Sequence, residues 1–341
     1  MKLKIFCQYI NYPSLSPTSG DKINEIRFYR ALSEFADIYY NDHLVDWSSD
    51  ELGVPGKLNP PSRQYDLYYV RGNHELLQSL PHPKATMAYP YDPKSFAEVD
   101  AVFVTTQAWS DLLKQHNGSV AVQQKLAKWY PEQIEMPRNI VNIQQTIDPM
   151  FCEEPSSAEL LYWRARTTGA PVFGFFGRVT EETIPRDLLN AIEYVRDVEK
   201  STVSPLAAFS GSIRTKLPNS VLNLGTIAYR DMPKVIRVCH GTLGQSCKDS
   251  DYLGSGKILD SIACGTPIIT KENLVRVEQL GAEYPGLFNT QEQANEILLK
   301  LCTDEDFVSE VRSYLLSRRS SFLPKASGNR IRDRLIEAEL L

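Results

Sequence analysis

An α/β protein built from two parallel-sheet domains is what this sequence predicts, and three observations carry the prediction. Short β-rich runs alternate with helical patterns in both halves, 341 residues exceed what one core commonly organises, and the composition is that of a globular chain. Hydrophobic residues make up 42% and charged residues 23%, which excludes a disordered tail protein. Lys and Arg number 37 against 42 Asp and Glu, a net charge of -5, so no global positive field draws in a nucleic-acid backbone and no nucleic-acid partner is expected.

The elements follow in order. Residues 2–10 read as a first strand, residues 11–20 as a loop rich in Pro, Ser and Gly, and Ile23, Ile26, Phe28, Tyr29 and Leu32 fall at helical spacing before a second strand at 36–40. Third, fourth and fifth strands are predicted at 65–70, 85–89 and 101–105. Trp109, Leu112 and Leu113 mark a helix, and residues 137–147 hold one more strand. The polar run Glu153-Glu154-Pro155-Ser156-Ser157 then breaks the pattern and marks the expected boundary. In the second series, strands are predicted at 171–176, 206–210, 221–224, 241–243 and 267–270. Helices are predicted through Leu188 to Val195, 235–238 and 258–263. Residues 304–341 read as helical, broken by Pro324 and Gly328. The expected domains are 1–152 and 153–322, with a helix at 323–341 that packs back on the first.

The longest apolar stretches are strand-sized, far below the ~20 residues that span a bilayer. Residues 1–7 have a charged opening without an apolar core of signal-peptide length. Six cysteines are scattered with no C-x-x-C pair, so the spacing suits neither a disulfide framework nor a zinc site. These features predict a soluble cytoplasmic chain with reduced, packed thiols.

Candidate chemistry sits at strand ends, where loops diverge and helix N-termini point into the crevice of an open α/β sheet. Gly177-Arg178 closes one buried strand. Arg178, helped by Arg186 beside Pro185, is a candidate diphosphate ligand, and the alternative is a surface arginine on a turn. Gly254-Ser255-Gly256-Lys257 precedes an apolar helix and could cradle a phosphate, or be only a turn. Asp260, within that helix, needs partners, and a ribose diol is one; a helix-surface aspartate is the other reading. His74 and Asp92 close the third and fourth strands and could serve as acid, base or sugar ligands, against the plainer readings of a surface histidine and a packing loop. No Ser-His-Asp context, H-E-x-x-H run or EF-hand loop appears, so no metal site is expected.

The order of these signals resembles a known family. Gly177-Arg178, then Leu224-Gly225-Thr226-Ile227-Ala228-Tyr229-Arg230-Asp231-Met232-Pro233, then Asp260-Ser261-Ile262-Ala263-Cys264-Gly265-Thr266-Pro267-Ile268-Ile269 is similar to the donor domain of glycosyltransferase family 4. The N-terminal half is similar too, with the Gly20-containing loop and Ile147-Asp148-Pro149 in the hinge position. The resemblance implies a GT-B fold, α/β with two Rossmann-like domains whose parallel sheets face an interdomain cleft. It also implies metal-independent, retaining transfer of a sugar from a UDP- or GDP-linked donor to a hydroxyl acceptor, with no cofactor because the nucleotide-sugar is a substrate. Arg178, Arg186, Lys257 and the Gly254-Ser255-Gly256 turn would hold the diphosphate, Asp260 the ribose, and Gly20 the acceptor-side loop.

Two positions depart from the family pattern. Tyr252, with Asp251 adjacent, stands where the family has the first Glu of Glu-x7-Glu, and Glu181-Glu182-Thr183-Ile184 stands where a Lys is usual. The competing expectations are therefore a catalytically inactive GT-B-like module binding nucleotide or glycan as a partner protein, and a sugar-nucleotide epimerase. The acceptor, whether glycan, lipid-linked or small molecule, is open. Residues 1–150 carry 14 Lys and Arg against 17 Asp and Glu, so no domain-wide charge argues for anionic lipid, and peripheral membrane contact is left to a local patch.

Overall fold

The computed structural model describes residues 2–10, 20–48, 60–88, 96–115, 135, 137–166, 170–198, 204–245 and 252–341. Residues 11–19 of the first loop, Asp92 with its loop, and Asp251 lie outside the described residues. The chain forms two compact units, residues up to Thr146 with Pro324–Leu341, and Ile147–Leu323.

The first unit is a seven-stranded sheet of β1 (Leu3–Tyr9), β2 (Ala36–Tyr40), β3 (His43–Leu44), β4 (Leu67–Arg71), β5 (Lys84–Met87), β6 (Ala101–Val104) and β7 (Asn139–Asn142), in the order β3-β2-β1-β4-β5-β6-β7. All pairs are parallel except β2 with β3. The central strands β4, β5 and β6 are buried along their whole length, as parallel strands covered on both faces are. The short return strand β3 was not expected from composition. Its signal is local: Asn41 and Asp42, both at positive φ (49° and 69°), form the two-residue hairpin turn that such residues favour.

Helix α1 (Gly20–Ser33) buries Ile26, Phe28, Tyr29 and Leu32 on the sheet. The Phe28 ring meets Tyr69 at 5.0 Å and Phe103 at 5.6 Å, both edge-on, which ties helix, β4 and β6 into one core. Two further helices, α2 (His74–Ser79) and α3 (Gln107–Lys114), follow β4 and β6. The C-terminal helix (Pro324–Glu337) adds Ile331 and Leu335 to the same core. Gly328 does not break this helix, contrary to expectation. It lies in its interior, where the missing side chain lets the helix approach α1: a Cβ there would stand 2.4 Å from the Ala31 carbonyl oxygen and 2.8 Å from Glu34 Cβ.

The second unit is a six-stranded sheet of β8 (Val172–Phe176), β9 (Leu206–Ser210), β10 (Val221–Asn223), β11 (Gly241–Leu243), β12 (Ile268–Lys271) and β13 (Leu287–Phe288), ordered β10-β9-β8-β11-β12-β13 and wholly parallel. Its helices are α4 (Ser157–Ala165), α5 (Arg186–Val198), α6 (Met232–Val238), α7 (Gly256–Cys264), α8 (Leu274–Leu280), α9 (Gln291–Thr303) and α10 (Glu305–Arg318).

Composition puts the boundary at the polar run 153–157, whereas chain contacts divide the molecule between Thr146 and Ile147. Three interactions hold residues 147–152 in the second unit. Ile147 N–H donates to the Phe322 carbonyl at 2.8 Å, Tyr229 hydroxyl donates to Asp148 at 3.2 Å, and buried Arg237 donates to the Phe151 and Cys264 carbonyls, each at 3.1 Å. No helix among the described residues is long and apolar enough to cross a membrane.

Two outcomes follow from this packing. Gly to Ala inside a helix ordinarily stabilises by about 0.5–1 kcal/mol, but the Ala31 backbone oxygen cannot yield, so Gly328→Ala should destabilise the chain by about 1–3 kcal/mol in urea denaturation. Burial raises the thiol pKa values of Cys7, Cys239 and Cys264, that of Cys239 to about 12. Maleimide mapping of the native protein at pH 8 should leave these three unmodified until denaturant is added.

Candidate functional site

The carboxyl edge of the second sheet is built around glycine. Gly177 follows β8, Gly211 follows β9 and Gly225 lies two residues past β10, all at positive φ: 121°, 123° and 69°. The three turns are hydrogen-bonded in series. Gly177 N–H donates to the Ser210 carbonyl at 2.8 Å, Gly211 N–H to the Gly225 carbonyl at 3.1 Å, and the Ser210 hydroxyl to that same carbonyl at 2.7 Å. A Cβ on Gly211 would lie 2.2 Å from the Gly177 carbonyl oxygen, so only backbone fits between the first two turns.

Onto this floor comes Lys257, from the first turn of α7. Its Cε and Nζ would stand 3.2 Å and 3.6 Å from a Cβ on Gly177, its Nζ donates to Gln245 Oε1 at 3.0 Å, and its ammonium lies 4.4 Å from the centre of the Phe175 ring. Asp260, one turn further along α7, lines the same small hollow with Lys257, Gly174, Phe176 and Thr242. Gly174 makes this hollow possible, since a Cβ there would meet the Phe176 ring at 2.3 Å. Behind it, the Ser261 and Thr242 hydroxyls pair at 2.6 Å.

Arg178, next to Gly177, is exposed, and its guanidinium has no hydrogen-bond or ion-pair partner among the described residues. Ser255 is the residue preceding α7, yet its side chain makes no capping bond, and Gly254, Ser255 and Gly256 form the turn into the helix. The N-terminal end of α7 carries the positive end of the helix dipole beside Lys257. A lysine, an arginine and a helix N-terminus around a floor of bare backbone can neutralise a diphosphate; a carboxylate one turn away can accept from paired hydroxyls.

The structure brings Gly177, Lys257 and Asp260 together and leaves Arg178 beside them. Arg186 is placed elsewhere. It opens α5, forms an ion pair with Glu181, and lines a separate hollow with Lys216 and Asn219; Glu181 also accepts from the Thr215 hydroxyl. Tyr252 is half-buried ahead of the Gly254 turn. Among the described residues no group of three His, Cys, Asp or Glu side chains is placed to hold a metal ion.

In the first unit, His74 begins α2. Its Nδ1 is buried without a partner among the described residues. The turn before it is held firmly. Arg71 ends β4 in a buried ion pair with Glu25 at 2.5 Å and lies 4.7 Å over the Tyr9 ring, while Asn73 caps α2 by accepting from Leu76 N–H at 3.2 Å and donates to Gln8 at 3.1 Å. Burial, and then the Glu25 charge, hold the pKa values of the Tyr29 and Tyr69 phenols and the Cys7 thiol well above their usual values. Gly20 is the exposed first residue of α1.

Two site residues lie outside the sequence expectation. Gly211 directly follows a strand, as Gly177 does, so the recurrence of glycine at the carboxyl ends of neighbouring strands is the signal that marks it. Gln245, which holds Lys257, carries no local signal at all.

No protein-family model matches the chain, and no curated protein sequence matches it. Solved structures do. HepE of Anabaena in complex with UDP and glucose superposes with a TM-score of 0.64 at 14% identity, over 98% of this chain and 100% of HepE. Its complex with UDP-glucose gives 0.63 at 15% identity over 98% and 100%. WaaG, a glycosyltransferase involved in lipopolysaccharide biosynthesis, gives 0.56 at 12% identity over 96% and 99%. Likeness at this identity speaks for the fold: the chain has the GT-B fold of two Rossmann-like domains, as the order of its motifs implied.

The glycine floor makes a graded prediction. Gly225→Ala meets no atom within 4 Å and should cost only the left-handed backbone penalty of about 1–2 kcal/mol. Gly211→Ala combines an unfavourable φ with the clash on Gly177 and should cost clearly more, about 3 kcal/mol or above in urea denaturation.

Proposed function

We propose that the protein is a glycosyltransferase that moves a hexose-type sugar from a UDP- or GDP-linked donor to a hydroxyl acceptor. The observation that carries this reading is the seating of Lys257 against Gly177 at the carboxyl edge of β8, with Asp260 one turn along the same helix. The fold it shares with HepE and WaaG, and the UDP and UDP-glucose bound to HepE, point the same way.

The chemistry asks for little beyond these groups. Breaking the bond between the anomeric carbon and the phosphate oxygen leaves a nucleoside diphosphate, whose developing charge needs preorganised positive partners. In this reading Lys257, Arg178 and the α7 N-terminus supply them without a metal or cofactor, and Asp260 accepts from the ribose hydroxyls. With retention at the anomeric carbon, a departing phosphate oxygen receives the acceptor proton, and His74 and Asp92 orient substrate. Inversion would require one of them as general base. The first unit supplies the acceptor-side residues, and the acceptor is a glycan, a lipid-linked sugar or a small molecule. The proposed setting is cytoplasmic.

Tyr252 in the place of a family glutamate favours a second reading, a GT-B module that binds nucleotide without turnover. Calorimetry with UDP and GDP, followed by product formation from a panel of nucleotide-sugars, separates the two. One nucleotide should bind, and Lys257→Ala and Arg178→Ala should each weaken it by about tenfold or more, as expected for loss of a charge-assisted bond. Binding with no product from any donor selects the module; absence of binding to both nucleotides sinks the reading.

A further inference from the structure

Gln279, on α8, lies 24 positions from Ser255 in sequence and is buried against the turn that leads into α7. Its Oε1 accepts from the Ser255 N–H at 3.1 Å, and its Nε2 donates to the Ser255 carbonyl at 3.2 Å. One side-chain amide thus holds both polar groups of a single backbone residue. Its orientation is itself fixed: buried Arg276 donates through Nη1 to the same Oε1 at 3.3 Å, so the amide oxygen faces two donors and the nitrogen faces an acceptor.

The support continues outward. Asn273 caps α8 by accepting from the Arg276 N–H at 2.8 Å, and Arg318 of α10 donates to the Gln279 carbonyl at 3.2 Å. The Ser255 carbonyl also receives the Ile258 N–H at 3.2 Å, so the bond that starts α7 and the bond from Gln279 share one acceptor. Because the Ser255 N–H is turned toward Gln279, it is withdrawn from any anion at the helix end, and the helix opens on Gly256 and Lys257.

We infer that Gln279, oriented by Arg276, is the positioning residue of the donor diphosphate site, a role that rests on the nucleotide-sugar reading above. It touches no substrate atom. It sets the conformation of the Gly254-Ser255-Gly256-Lys257 turn, and thereby where the first N–H groups of α7 and the Lys257 ammonium stand. Main-chain donors cannot be re-aimed by rotamer changes, so a phosphate site made from a turn is only as well placed as the groups that hold the turn.

The test compares a nucleotide with its nucleoside. Wild type, Gln279→Met and Gln279→Glu are titrated with UDP and GDP by calorimetry, and with uridine and guanosine by ligand-observed NMR. Thermal unfolding without ligand confirms that each variant is folded. Gln279→Met keeps length and burial but removes both hydrogen bonds to Ser255, together with the one from Arg276. It should weaken the nucleoside diphosphate by about tenfold or more while leaving the matching nucleoside within about twofold, because the turn faces phosphate alone. Gln279→Glu keeps the acceptor and loses the donor, so it should show the same phosphate-selective loss, and it carries the test if the Met variant does not fold. Equal loss of nucleotide and nucleoside, or no loss of either, overturns the inference while the donor-site reading stands. Failure of wild type to bind UDP or GDP overturns that reading, and the inference falls with it.

Discussion

The second unit depends on a contact that admits no side chain: the Gly177 carbonyl lies against the α-carbon of Gly211 so closely that a Cβ would stand 2.2 Å from it. Because the turns after β8, β9 and β10 can touch, their backbone groups satisfy one another, from Gly177 to Ser210 and from Gly211 to Gly225. Loops at a sheet edge ordinarily turn to water for these partners. Here they form a fixed floor, and Lys257 packs against it at Gly177, its ammonium over the Phe175 ring and bonded to Gln245. Position, rather than quantity of charge, is what the edge provides. The chain as a whole is acidic at -5, and the positive charge gathered at this edge is one lysine, one arginine and one helix end.

The first unit uses a different device at the corresponding strand ends. Arg71 and Glu25 are buried together at the end of β4, where either charge alone would be costly, and the Tyr9 ring covers the guanidinium. The pair anchors the turn that carries Asn73 and His74, and it shapes its surroundings, since the carboxylate adds to burial in suppressing ionisation of Tyr29, Tyr69 and Cys7. One unit fixes its edge by backbone contact and the other by a buried ion pair.

Much of the architecture was legible because parallel strands are buried on both faces. The predicted bounds of β2, β9 and β11 coincide with the observed strands, short runs set off by turn residues. Gly328 is a poor helix former locally, but close approach to α1 decides its place; β3 is two residues long and offers no period. Helices α8 and α9 have no place in the sequence expectation, although Asn273 caps one and the Thr290-x-x-Gln293 box caps the other, because a capping residue alone does not separate a helix start from a turn. At the site, Arg178 and Lys257 could be singled out because glycine beside a cation at a strand end is a local pattern. The ion pair that occupies Arg186 could not, since it depends on how the turn folds Glu181 back.

By itself the sequence determined the class of fold, the alternation of strands and helices, and the order of motifs that identifies the GT-B arrangement, because these follow from period and punctuation along the chain. Only the tertiary structure decided which residues share a site. Gly177, Lys257 and Gln279 are 80 and 22 positions apart along the chain, yet one of them is floor, one is charge and one is brace. Their relation is a set of distances of a few ångströms across three different elements, and a periodic pattern in one dimension holds no record of such distances.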